Sequence, residues 1–118
     1  MKRDMDLARQ ILLAIEGQED ADGSSWFALE FEGVSDKSVS HHIRLLHEAG
    51  LLDAIDLSTM AGPEWRPKSL TWAGHEFLDA ARDETLWNKA KALVISKTGS
   101  LGFEALKIAL IEGVKAVM

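Results

Sequence analysis

The strongest constraint on this chain is one passage, residues 35–71, in which a helix pattern gives way to a hairpin pattern with a single glycine between them. From about Asp36 to Ala49, Val39, Ile43 and Leu46 recur at helical spacing, while Lys37, His41, Arg44 and Glu48 gather on the opposite side. Ser35 stands where an N-cap belongs, and Asp36 sits where the helix dipole favours a negative charge. Gly50 is the residue type for a left-handed cap, and the strand-like run LLDAIDL follows it directly. The turn-rich stretch STMAGPEWRPK then holds both prolines of the chain. Leu70 can end a second strand, and Thr71 can cap the next helix, with Phe77 and Leu78 pointing inward from it. A helix that displays one face and is followed at once by a hairpin predicts an α+β winged-helix domain, with the 58–68 segment as its wing.

The flanks fit a single domain over 1–118 with a helical extension from about 84. Leu7, Ile11 and Ile15, filled out by Leu12 and Ala14, predict an amphipathic helix over 4–16, ended by Gly17 and a polar loop. In WFALEFE, 26–32, Phe27, Leu29 and Phe31 alternate with smaller or acidic residues, which predicts a short strand closed by Gly33. Leu86, Ala90, Leu93 and Val94 share one helical face, Gly99 breaks it, and Phe103, Leu106, Leu110, Val114 and Val117 form another. Ile108, Ile111 and Met118 widen this last face until Glu104, Lys107, Glu112 and Lys115 are a narrow polar stripe. That width predicts burial on more than one side, within the domain or in a homodimer.

Composition removes whole classes of function. The chain has no cysteine, so disulfides, thiolate metal sites and a cysteine nucleophile are out, and a reducing compartment such as the cytoplasm is expected. Charges interrupt MKRDMDLARQ where a secretory signal needs an apolar run, and no segment approaches the roughly 20 apolar residues that span a bilayer. Neither export nor membrane insertion is expected. The net charge of -6 is uneven: residues 1–60 carry five Lys/Arg against twelve Asp/Glu, and residues 61–118 eight against seven. A dedicated nucleic-acid binder usually shows the opposite balance, because phosphate neutralisation supplies much of its affinity.

The run SVSHHIRLLHEAGLLDAIDL, a hairpin, and then SLTWAGHEFLDAARDETLWNKAK resemble the presented helix, wing and closing helix of winged helix-turn-helix proteins. With MKRDMDLARQILLAIE before them and the GPEWRP wing among them, these pieces are more narrowly similar to the bacterial and prophage family catalogued as domain of unknown function 2513. The resemblance spans nearly the whole chain and implies a winged-helix-like fold, with no established activity to carry over. One departure from the wider superfamily stands out. Only FALEFEGV occupies the place of the helix that normally braces the reader across the phosphate backbone.

Lys37, Ser38, His41, His42 and Arg44 are the residues that would meet DNA if the displayed helix enters a major groove, since Lys and Arg donate to guanine or phosphate and Ser to either. Asp36 and Glu48 on the same helix would repel phosphate. The wing offers Trp65, Arg66 and Lys68, which could lie on a DNA backbone or clamp a protein partner, where Trp and Arg are favoured anchors. Trp65 between its two prolines could instead cover the core, and Trp26, Trp72 and Trp87 are expected in the core or at its edge. His41 and His42 diverge by about 100 degrees on a helix, so a shared metal is not expected, and His75 with Asp79 is too small a set. No nucleophile elbow, phosphate-cradling glycine loop or paired-carboxylate cleft is recognisable, so neither catalysis nor a cofactor is expected. Two readings follow: a small DNA-binding regulator, bacterial or prophage-borne, or a protein-interaction module that reuses the scaffold.

Overall fold

A computed structural model describes residues 2–19, 21–99 and 102–117, the side chains of 98 and 113–117 excepted. In chain order the elements are α1 (Met5–Glu16), α2 (Asp36–Glu48), β1 (Leu52–Asp56), β2 (Trp65–Leu70), α3 (Trp72–Ala81), α4 (Glu84–Thr98) and α5 (Phe103–Val117). They divide into two compact units, 1–75 and 76–118, with α3 beginning in the first and ending in the second.

In the first unit each helix end is made by the residue types expected to make it. Asp4 caps α1, its carboxylate accepting from the N–H groups of Asp6 at 2.9 Å and Leu7 at 3.2 Å. Ser35 caps α2 by accepting from Ser38 N–H at 3.1 Å. At the other end of α2, Gly50 at φ 78 lets its own N–H reach the His47 carbonyl and that of Leu51 reach Leu46. This pair of bonds satisfies carbonyls that the helix end would otherwise orphan, and it turns the chain straight into β1. β1 and β2 are antiparallel with an irregularity at Asp53/Ala54, and the loop closes through Leu57 N–H to Glu64 O and reciprocal bonds between Thr59 and Gly62. The hairpin expected after the displayed helix is therefore present.

The core of this unit comes from one face of α1 (Leu7, Ile11, Leu12, Ile15) against Val39, Ile43 and Leu46 of α2, with Leu51 and Leu52 beneath. Every member of that set is at most 7 % exposed. Thr71 caps α3 as expected, its Oγ1 accepting from Gly74 N–H at 3.1 Å while its hydroxyl donates to the Gly50 carbonyl. Gly74 lies so close to the Leu51 carbonyl that a Cβ there would overlap it.

The strand expected over 26–32 does not form; among the described residues the sheet has two strands. The segment has no regular element and donates one bond to the sheet, Phe27 N–H to Pro67 O at 3.2 Å. Pro67 has no N–H to return, and the next outward N–H of β2, that of Trp65, is already donated to Ser40 Oγ at 2.7 Å. The alternation is still expressed as burial, with Leu29 at 7 % exposure and its neighbours Ala28 and Glu30 in solvent.

The second unit packs α4 against α5. Trp87, Ala90 and Val94 are buried on α4, Leu106 and Leu110 on α5, and Phe77 meets Trp87 edge-on at 6.4 Å and Phe103 at 5.2 Å. Gly99, at φ 77, ends α4 where the break was expected. Leu93, expected on the buried face, is 47 % exposed, because the buried set of α4 repeats at Trp87, Ala90 and Val94 and turns Leu93 aside. Burial on more than one side of α5 is likewise not realised in the single chain: Ile108 and Ile111 are 59 % and 39 % exposed. The expectations for Val114, Lys115, Val117 and Met118 lie outside the residues described at side-chain level.

Candidate interaction surface

Two elements of the first unit, α2 and the hairpin, carry all eight residues singled out from the sequence, and a cleft of about 260 Å³ lies between them, lined by Lys37, Trp65 and Arg66 of the eight. Leu29, Val39 and Pro63 give the cleft apolar walls, Asp36 and Lys37 stand on its helix side, and Glu64, Trp65 and Arg66 on its hairpin side. The hairpin is pinned to α2 by buried Ser40, whose Oγ accepts the Trp65 N–H. Ser40 carried no functional expectation, although a serine between Val39 and Ile43 on an apolar helix face is the signal that marks such an anchor.

Lys37 is exposed on the first turn of α2. Ser38 is half-buried, and its main chain is engaged locally, its N–H on Ser35 and its carbonyl on His42. Arg44 is exposed but bonded to Glu48 at 3.1 Å, one turn further along. Arg66 is bonded through Nη2 to Glu64 at 2.7 Å, and its Nε is buried without an acceptor among the described residues. Trp65 is half-buried, with its ring 5.5 Å from that of His47, so it covers the helix as well as lining the cleft. Lys68 is half-buried on β2 outside the cleft lining and is bonded to no carboxylate among the described residues.

His42 is not available to any partner. It is 2 % exposed, its Nε2 accepts the Asp4 main-chain N–H at 2.8 Å, and its Nδ1 donates to the Ser38 carbonyl at 2.7 Å. Two main-chain partners, one offering a proton and one accepting it, require the neutral ring with its proton on Nδ1. His42 therefore ties the start of α1 to α2. His41 beside it is half-buried and sits edge-on at 5.5 Å; burial holds its pKa below the ordinary imidazole value, and the positive charge of Arg44 pushes the same way.

Two tryptophans expected in or near the core are displayed instead: Trp26 is 47 % and Trp72 79 % exposed, while Trp87 is buried as expected. Trp26 precedes the single ladder bond of Phe27 and so has no sheet face to lie on, and Trp72 occupies the first turn of α3 on the side away from Phe77 and Leu78.

Charge is divided sharply between the units. Residues 1–75 hold seven Lys/Arg against thirteen Asp/Glu, and residues 76–118 six against six, so the whole net charge of -6 belongs to the unit that carries α2 and the hairpin. Among the described residues no group of histidines and carboxylates is placed to hold a metal ion, and no helix is long and apolar enough to cross a membrane.

No solved structure matches this chain. A protein of Haemophilus influenzae (strain ATCC 51907 / DSM 11121 / KW20 / Rd), named only as an uncharacterized protein, is 43% identical over 107 residues, covering 91% of this chain and 90% of its own. The model of the family described as Hypothetical protein (DUF2513) matches residues 2–100, and the chain belongs to that family.

Proposed function

We propose that this member of the family is a non-catalytic interaction module on a winged-helix-like scaffold, whose α2 and hairpin face engages a protein in the cytoplasm. One observation carries the reading against DNA. The two arginines that would meet phosphate, Arg44 and Arg66, are both bonded to carboxylates of the same chain, within a unit of net charge -6. A polyanion approaching either arginine would meet the paired carboxylate beside it as well as the field of the unit. The half-buried Trp65 beside Arg66 is the kind of anchor on which protein interfaces concentrate their affinity.

The DNA-binding regulator is the second reading. It is favoured by the order of helix and hairpin, and by Lys37 and Lys68, which make no ion pair among the described residues.

One experiment separates the two. Tagged protein is offered fragmented genomic DNA at about 50 mM salt, where a few phosphate contacts suffice for retention, and, separately, nuclease-treated lysate of its host. The interaction reading expects no DNA above an unrelated acidic control, and a defined protein that is retained by the wild type and lost with Trp65→Ala. DNA retained by the wild type and released by Arg44→Ala would overturn it in favour of the regulator.

A further inference from the structure

We infer that the cleft between α2 and the hairpin receives an extended segment of a protein partner bearing a basic side chain, an inference that rests on the interaction reading above and names its contact. Three independent features converge on that occupant. The cleft has apolar walls in Leu29, Val39 and Pro63, against which the methylene stem of an arginine or lysine can lie. Asp36, at the helix side, makes no ion pair among the described residues, and Glu64 across from it commits one oxygen to Arg66. The body that bears the cleft has a net charge of -6, which draws a cationic segment toward it, while at the lining itself Lys37 and Arg66 stand beside Asp36 and Glu64.

Arg66 supplies the second half of the recognition. Its Nε–H is buried with no acceptor among the described residues, so the side chain sits in an arrangement it has reason to leave. A main-chain carbonyl offered at the cleft mouth gives that N–H a partner once the side chain turns outward, and any extended peptide carries such carbonyls at every residue. A basic side chain for the carboxylates and a carbonyl for Arg66 together describe a cationic peptide in extended form. A simple anion satisfies only the second group, and a simple cation only the first.

The test uses the whole chain, isotopically labelled, and two probes, the capped peptides Ac-Gly-Leu-Arg-Leu-Gly-NH2 and Ac-Gly-Leu-Glu-Leu-Gly-NH2. The arginine peptide is expected to give saturable amide shifts at Lys37, Gly62 and Trp65, and to slow exchange of the Arg66 Nε–H. Asp36→Asn is expected to weaken it about tenfold, the effect of losing one well-placed charge partner. Arg66→Lys keeps the charge and the pairing with Glu64 but has no Nε–H, and is expected to weaken it as well. Equal binding of the glutamate peptide, shifts confined to the acidic loop around Glu19 and Asp22, or no saturable shift at all would each overturn the inference. The two readings are separable: a partner captured from nuclease-treated lysate that survives both Asp36→Asn and Arg66→Lys overturns the cleft inference and leaves the interaction reading standing.

Discussion

His42 Nε2 accepts the main-chain N–H of Asp4 at 2.8 Å, joining residues 38 positions apart across the interface of α1 and α2. The bond holds the residue that caps α1, so the ring fixes where the first helix starts as well as filling the core beside Ile43. His42→Ala is expected to lower unfolding free energy by about 3 kcal/mol, from the volume left by the buried ring and the loss of its bonds to Asp4 and Ser38. Lys37→Ala, on the exposed face of the same helix, is expected to cost less than about 0.5 kcal/mol. Urea denaturation of both variants measures the contrast; equal effects would show that His42 is not a structural tie.

Ser40 Oγ and Trp65 N–H form the corresponding tie between α2 and the hairpin. Ser40→Ala removes the acceptor while filling nearly the same space, so it is expected to cost about 1 to 2 kcal/mol and to speed exchange of the Trp65 amide more than amides elsewhere in β2. Exchange that rises uniformly across the unit would instead mean a global loss of stability.

What could be read from the sequence, and what could not, divides along the range of the interactions. The ends of α2 were legible because Ser35 and Gly50 act on groups a few residues away, and each residue type has one strong reason to be there. The pairing of Arg44 with Glu48 is one helical turn and equally local, yet its consequence for DNA binding emerges only beside the second pair at Glu64 and Arg66. The failed strand at 26–32 had a sound alternation of its own. What stopped it was its neighbour, where Pro67 has no N–H and Trp65 has given its own to Ser40. His42 was misread for a similar reason: nothing within a helical turn reveals that Asp4 will supply a donor.

Acid should act on this unit through His41. Its folded pKa lies below the ordinary value of 6.5, with burial as the first cause and the positive charge of Arg44 acting the same way, opposed by Glu48. The unfolded chain therefore takes up this proton more readily than the folded one. The contribution of His41 is level above about pH 6.5, and stability is lost as pH falls below that value toward the lower folded pKa. Melting temperatures of the wild type and His41→Gln, compared at pH 7.5 and 5.5, isolate it: the wild type is expected to lose more on acidification. Identical losses would place the acid sensitivity elsewhere.

Gly74 offers the sharpest test of how the hairpin unit closes. It stands in the first turn of α3, its N–H on the Thr71 hydroxyl oxygen and its α-carbon against the Leu51 carbonyl, while Thr71 also donates its N–H to that carbonyl at 3.1 Å. A helix interior ordinarily gains about 0.5 to 1 kcal/mol when glycine becomes alanine. Here the added methyl meets main-chain atoms that cannot rotate away, so Gly74→Ala is expected to destabilise by about 3 kcal/mol despite its better helix propensity. Thr71→Ala, which removes the cap and the hydroxyl bond to Gly50 without any clash, is expected to cost about 1 kcal/mol. A stabilised Gly74→Ala would mean that α3 does not approach the corner between α2 and β1 this closely.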